Sequence, residues 1–311
     1  MPREDNSVDM LPSLSPDLVF ASAEKWNDEE YRDDFLEQFL GHMQKIESFD
    51  MLFAWSDELE EFLWTDPNPP PWRMKKGWNN QLVPVIYRIF QKCMFLVDNS
   101  DELDACKINP DIFSGFQRKE ILKSWHVLLH IMMDLGETPY IASGIEFRDT
   151  DTKSVRLLCD CDQKKIDSEI IRHPSDWAHV VNYIDFWPRD TDRKEVERLR
   201  LAVEIASEQK FADLQRRQKQ DFDFDDKFVE DLVNAEPRFR ELIIKGIAKR
   251  VNLSRADASV DRGLNDEPIR GREGERRMRV SGEQRIHYKL VGNTLVFIDY
   301  YGPGEHDKGL K

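Results

Sequence analysis

The feature that most constrains the fold is a hairpin signal near the C-terminal end of the chain. Two β-rich segments, Arg285 to Leu290 and Leu295 to Tyr301, flank the pair Gly292-Asn293. Glycine and asparagine tolerate positive φ, the backbone region that tight two-residue hairpin turns require. We therefore predict an antiparallel hairpin here. A polar, ionisable tail follows the hairpin from Gly302 onward, and this position suits catalytic residues.

Length and composition predict a globular chain of two domains. The chain has 311 residues, 40% of them hydrophobic and 11% aromatic, which is enough for packed cores. No apolar run approaches the ~18 residues of a membrane span, and the N-terminus lacks the basic-then-apolar pattern of a signal peptide. Four cysteines are too few for a disulfide framework in a chain of this length. We therefore expect a cytoplasmic protein with no membrane contact.

The charge of the chain is distributed unevenly between its two halves. The net charge is -15. Residues 227 to 311 nevertheless hold 17 Lys and Arg against 14 Asp and Glu, whereas the first 226 residues hold 28 against 46. Such asymmetry indicates nucleic-acid contact by the basic half. Chance surface composition is the alternative interpretation.

Hydrophobic periodicity predicts a helix-rich α/β domain over residues 1–192. Its first 15 residues are polar with two prolines and are expected to form a disordered or loosely held lead-in. Predicted helices cover residues 28–48, 56–64, 82–97 and 118–135. Predicted strands cover residues 17–22, 51–55, 140–147 and 154–161.

A metal site is one alternative for the end of this domain. Cys159 and Cys161 precede His173 and His179, and thiolate and imidazole groups suit zinc. The single residue between the cysteines, however, differs from the usual spacing of two. Buried cysteines are the favoured interpretation, and we expect no metal and no cofactor.

The remainder of the chain predicts a charged connector and a small second domain. A long helix with sparse apolar positions is predicted over 193–220 as a connector. Residues 221–311 then contain an edge strand at 221–225, helices at 226–233 and 237–251, a polar arm at 262–272 and the hairpin. The predicted fold class is therefore α/β (α+β), with two helices on an antiparallel sheet in the C-terminal domain.

This C-terminal order resembles the RelE/ParE superfamily of bacterial toxins. The resemblance covers residues 221–311 only, and the N-terminal domain resembles no family that we recognise. It rests on four short segments, Glu267-Pro268-Ile269-Arg270-Gly271, Arg277-x-Arg279-Val280-x-Gly282, Gln284-Arg285-Ile286-x-Tyr288 and Gly304-Glu305-His306-Asp307. The chain departs from the family at its end, where the tyrosine that often follows the His-Asp pair in relatives is missing.

The resemblance implies a metal-independent endoribonuclease that cuts mRNA, in the RelE-like branch within the ribosomal A site. In such a reaction the substrate 2'-OH attacks the phosphate, so the site needs a proton acceptor, cations and a proton donor. The implied catalytic residues are Arg285, His306, Arg279 and Glu305. The implied substrate-binding residues are Arg277, Arg270, Arg272, Tyr288, Tyr300, Tyr301 and Lys308. Surface ion pairs for the arginines and core packing for Tyr288 are the alternatives.

Three functions stay open at this point. The first is a toxin that contacts RNA or the ribosome, is restrained or targeted by its acidic N-terminal domain or by an antitoxin or regulatory protein, and serves anti-phage defence. The second is a ParE-like or degenerate module that binds and inhibits a protein target. The third places the enzyme in the N-terminal domain, where no catalytic motif is found and acids such as Asp34, Asp57 and Asp160 would have to converge in space.

Overall fold

The computed structural model describes residues 11–74, 76–97, 116–134, 140–144, 154–158, 165–215 and 219–305. Within these ranges the chain is a mixed α/β structure with eleven α-helices and two β-sheets, which confirms the predicted fold class. The chain divides into two compact units, Met1–Trp177 and Ala178–Lys311. No helix in the described part of the chain combines the length and apolarity that crossing a membrane requires.

The first unit is built on a six-stranded sheet. Its strands are β1 (Pro12–Leu14), β2 (Phe53–Ser56), β3 (Met94–Val97), β4 (Tyr140–Ala142), β5 (Ser154–Leu158) and β6 (Lys165–Ile171). They are hydrogen-bonded in the order β3-β2-β1-β4-β6-β5. Only β5, which pairs with β6, runs antiparallel to its neighbour among the described strands. This order makes β1 and β4 the central pair, at which the direction of chain winding reverses.

Helices follow each of the first three strands. They are α1 (Pro16–Val19), α2 (Glu29–Ser48), α3 (Asp57–Trp64), α4 (Pro71–Met74), α5 (Lys76–Cys93) and α6 (Lys119–Asp134), with α7 (Trp177–Val180) at the unit boundary. Two predicted helix starts are confirmed by their caps. Asp28 accepts hydrogen bonds from the backbone N–H groups of Glu30 and Tyr31, and Ser56 accepts one from Leu59 N.

Three local predictions in the first unit are wrong. Residues 11–14, predicted as a loose lead-in, are buried, and β1 lies in the middle of the sheet. Residues 17–22, predicted as a strand, contain α1 instead, because the fixed φ of Pro16 suits a first helical turn. Residues 94–97, predicted as the end of a helix, form β3 instead. An uninterrupted apolar run fits both the helical and the strand period, and here pairing with β2 favours the strand.

The second unit contains a five-stranded sheet and four α-helices among its described residues after α7. The helices are α8 (Arg193–Gln215), α9 (Asp226–Val233), α10 (Pro237–Val251) and α11 (Arg255–Val260). The strands are β7 (Asp221–Phe224), β8 (Glu267–Pro268), β9 (Glu275–Arg279), β10 (Arg285–Val291) and β11 (Thr294–Tyr301), in the order β7-β11-β10-β9-β8. The sheet is antiparallel except that β7 runs parallel to β11.

The predicted hairpin is confirmed. β10 and β11 pair from Arg285 and Tyr301 down to Val291 and Thr294, and Gly292 in the turn has a φ of 61°. An irregularity in register between His287 and Tyr288 lets both strands keep their apolar side chains on one face.

Helices cover one face of this sheet, which we call the core face. Phe224 stacks on Phe228 of α9 and on Phe297 of β11, each at a ring-centroid distance of 5.7 Å. The long helix α8 also belongs to the second unit. It packs against α10 and buries an apolar stripe that contains Leu199 and Val203. Residue 192, where we expected the N-terminal domain to end and the connector helix to begin, therefore lies inside the second unit.

Candidate nucleic-acid interface

Alternation along the C-terminal strands brings several predicted residues to one face of the sheet. On β9, Arg277 and Arg279 point away from the core face, to which Met278 contributes. Arg279 lies across from Arg285, and Arg277 lies across from His287. On the other side of β10, Tyr301 lies across from Arg285. We call these five residues the arginine face.

The guanidinium groups of the arginine face are close enough to repel one another. Burial, followed by the charges of Arg279 and Arg277, lowers the pKa of Arg285, and Glu267 opposes this effect. Glu267 pairs with Arg277 at 2.7 Å. It neutralises one of the three cations and leaves an excess of positive charge at Arg279 and Arg285. A fold that holds like charges together is suited to bind an anion.

Arg285 and Arg279 differ in what holds them. The Nη1 group of Arg285 donates to the carbonyl oxygens of Gln284 at 2.8 Å and Ser281 at 3.0 Å, which fixes its position over the β9–β10 turn. The Nε group of Arg279 is buried and has no hydrogen-bond acceptor within the described ranges. A buried charged donor without an acceptor is costly, and a phosphate oxygen is an acceptor that guanidinium groups bind strongly.

His287 is a member of this face that sequence reasoning missed. It is only 1% exposed, and burial lowers its pKa to about 4, so the imidazole is neutral at pH 7. Its ring lies 4.5 Å from that of Tyr301. The Nδ1 atom is buried without a hydrogen-bond partner among the described residues. Its spacing of two residues from Arg285 on one strand was the signal that would have identified it.

Asp299 and Lys227 complete the surroundings of this histidine, and sequence reasoning missed both. Asp299 lies across from His287 and accepts a hydrogen bond from Lys227 Nζ. This hydrogen bond raises the pKa of Lys227. Burial and the charge of Asp299 raise the pKa of Tyr301. Lys227 and Tyr301 therefore both carry their protons at neutral pH and can serve as donors.

Tyr288 and Tyr300 lie on the other side of the sheet. Tyr288 is 0% exposed; its hydroxyl donates to Asp266 Oδ2 at 2.7 Å and accepts from Arg250 Nε at 2.8 Å. Burial raises the pKa of Tyr288 to about 12. Tyr300 is 9% exposed and lies across from the core residue Ile286. Both rings therefore lie on the core face and not on the arginine face, and the substrate role expected for these two tyrosines stays a prediction.

The other predicted site residues are spread around the arginine face. Arg270 is exposed, and Arg272 Nη1 pairs with Glu275 Oε2 at 3.3 Å. Glu305 is exposed in the turn that follows β11. His306 and Lys308 lie outside the described residues.

The structure describes only some of the residues on which the metal and N-terminal alternatives rest. Within the described ranges, no group of three or more His, Cys, Asp or Glu side chains is arranged to hold a metal ion. Cys159, Cys161 and Asp160 lie outside these ranges. Asp57 is exposed at the first residue of α3, and Asp34 lies on α2.

Comparisons with known proteins give a partial structural likeness. No family model matches the chain, and no curated protein matches it. A solved structure, a RelB–RelE antitoxin–toxin complex from Methanococcus jannaschii, matches with a TM-score of 0.21 and 24% sequence identity, over 25% of this chain and 86% of that one. The chain thus has a weak similarity, limited to a quarter of its length, to a toxin–antitoxin complex.

Proposed function

We propose that the C-terminal unit is a RelE-like toxin module that binds RNA on its arginine face and cleaves mRNA through attack of the 2'-OH. The observation that carries this proposal is the convergence of Arg277, Arg279 and Arg285 beside His287, with a buried Arg279 Nε group that has no acceptor in the described ranges. The motifs that resemble the RelE/ParE superfamily support the same assignment.

The chemistry follows from the protonation states on this face. Arg279 and Arg285 stabilise the negative charge that grows on the phosphorane. Neutral His287, which lies across from Arg277, is the proton acceptor in this proposal, and Tyr301 and Lys227 hold protons for the leaving 5'-oxygen. His306 and Glu305 stay candidates for the same roles from the tail. The N-terminal unit restrains or targets this module in the proposal, and an antitoxin-type protein is its further partner.

A second function is favoured by a different observation. Arg277 is paired with Glu267, Arg285 is held by backbone carbonyls, and His287 is almost wholly buried. Arginines that already have partners and a buried histidine fit a ParE-like or degenerate module that binds a protein target and does not cleave RNA.

RNA cleavage by the purified full-length chain tests the proposal. We expect cuts in a 5'-labelled single-stranded RNA, or in mRNA on translating ribosomes, that persist in EDTA and vanish when the nucleotide at the cut carries a 2'-deoxyribose. Arg279→Gln is expected to lower the cleavage rate at least ~100-fold, the size of effect found when one transition-state donor is removed.

The matched control is Arg238→Gln, which removes the same charge from an exposed position on α10. It is expected to cleave like the unsubstituted chain. Growth arrest on expression with intact mRNA and damaged DNA would contradict the nuclease and support the ParE-like alternative. Stronger arrest by residues 178–311 than by the full chain would support restraint by the N-terminal unit.

A further inference from the structure

A cavity in the first unit lies beside the central strands of the parallel sheet. It has a volume of about 450 Å³, within the range of small-molecule sites. Ligands of open α/β sheets bind at the carboxyl ends of the strands where winding reverses, and here that point lies between β1 and β4. Asp17, three residues beyond the end of β1, lines the cavity.

The segments that follow β1 and β4 are held tightly together at this point. The Ser15 backbone N–H donates to Ala142 O at 2.9 Å, and Gly144 N donates to Ser15 Oγ at 3.3 Å. Ser15 Oγ in turn donates to Asp17 Oδ1 at 2.5 Å. A Cβ atom at Gly144 would lie 2.5–2.6 Å from atoms of Asp17. Only glycine permits this approach, which fixes a buried carboxylate at the inner end of the cavity.

The walls and the mouth of the cavity have a different character. Its walls include six aromatic and proline residues, namely Phe20, Tyr31, Pro69, Pro70, Pro71 and Phe116. Two lining residues at the mouth, Ala23 and Met74, are exposed. Flat apolar walls of this kind suit an aromatic ring system.

The cations near the mouth are not equivalent. Arg118 is already engaged, because it pairs with Asp66 at 2.8 Å and donates to Asn68 O at 2.9 Å. Lys25 is exposed, lies over the ring of Tyr31 at 5.7 Å, and forms no ion pair within the described ranges. Lys25 is therefore the cation that is available for an anionic ligand group.

We propose that this cavity binds a nucleoside monophosphate. The base packs between the apolar walls, the ribose hydroxyls donate to Asp17, and the phosphate pairs with Lys25. The turn after β1 is Ser15-Pro16 and has neither glycines nor an N–H at Pro16, so it cannot cradle a phosphate. Because the inner end of the cavity cannot hold the phosphate, we place the phosphate at the mouth, beside Lys25. An aromatic amino acid would satisfy the same charges but would leave much of the volume empty.

Isothermal titration of the full-length chain with AMP, GMP, CMP and UMP tests this site, with the matching nucleosides, inorganic phosphate and L-tryptophan as comparators. At least one mononucleotide is expected to bind, and to bind at least ~10-fold more tightly than its nucleoside. Lys25→Gln should remove that difference while nucleoside affinity stays the same. Ala23→Trp, at an exposed position, should abolish nucleotide binding by filling the mouth.

Arg279→Gln separates this site from the RNA face, because its nucleotide affinity should equal that of the unsubstituted chain. The proposal is overturned if no mononucleotide binds at millimolar concentration, if Ala23→Trp binds as well as the unsubstituted chain, or if L-tryptophan binds more tightly than every nucleotide.

Discussion

Two faces of one sheet use the same residue type in opposite ways. On the core face, Arg276 donates to Asp266 Oδ1 at 3.1 Å, and Arg250 lies 3.3 Å from Asp266 Oδ2. On the arginine face, Arg279 and Arg285 lie across from one another, and neither forms an ion pair with a carboxylate in the described part of the chain. Buried arginines that pair with a buried carboxylate belong to the folded core. Clustered arginines without such a carboxylate are suited to bind an anionic ligand.

The largest expected effect concerns the buried carboxylate of the core face. Asp266→Asn keeps the shape of the side chain but leaves Arg250 and Arg276 without a counter-charge. We expect it to lower the free energy of unfolding by about 3–5 kcal/mol, measured by urea denaturation. The matched control is the next residue. Glu267→Gln breaks the partly exposed pair with Arg277 and should cost less than about 1 kcal/mol. Equal losses in both variants would remove the distinction between the faces.

The hydroxyl groups of Tyr288, on the core face, and Tyr301, on the arginine face, give a second comparison of the two faces. Tyr288→Phe removes a hydroxyl that bridges Arg250 and Asp266, and hydrogen bonds to charged groups are worth about 1.5–3 kcal/mol. Tyr301→Phe, on the arginine face, should change stability by no more than about 0.5 kcal/mol while slowing RNA cleavage. Thermal and urea unfolding measure the first effect, and cleavage rates measure the second. A stability loss from Tyr301→Phe as large as that from Tyr288→Phe would argue against this assignment.

Arg285 tests whether a residue on the arginine face can serve both the fold and the ligand. Arg285→Gln breaks its hydrogen bonds to carbonyls of the β9–β10 turn, so we expect a loss of about 1 kcal/mol in unfolding free energy together with weaker RNA binding. Arg279→Gln should weaken binding with no such loss. If both variants lose equal stability, Arg279 is also a structural residue.

The last effect is a pH dependence that arises from His287. In the unfolded chain the pKa of a histidine is about 6.5, and burial lowers it to about 4 in the folded chain. Between these values the unfolded state binds a proton that the folded state does not. This contribution to stability is therefore complete above pH 6.5 and falls as the pH drops toward 4.

Urea midpoints at pH 7, 6 and 5 measure this dependence. His287→Gln should show a shallower decline than the unsubstituted chain, in which His42, with a pKa lowered to about 3 by burial, contributes in the same direction. An NMR titration that places the pKa of His287 near 6.5 would contradict the buried, neutral imidazole.

Local sequence signals predicted the parts of this molecule that depend on neighbouring residues. The hairpin followed from Gly292-Asn293, and alternation placed Arg277 and Arg279 on one face. What depends on distant pairing was not predictable. The burial of β1 requires its neighbours β2 and β4, and the core role of Tyr288 requires Asp266 and Arg250, which lie 22 and 38 residues away. His287 was overlooked because the motif leaves its position variable.

The most direct test of the account is the salt dependence of RNA binding by the unsubstituted chain and by Arg279→Gln. Fluorescence anisotropy with a labelled single-stranded RNA at several salt concentrations gives both affinity and slope. The account predicts weaker binding by the variant, with a slope of log affinity against log salt that is smaller by about 0.7, the value for one lost phosphate contact on a single strand. Identical affinity and slope for Arg279→Gln and for the unsubstituted chain would contradict the claim that this face binds RNA.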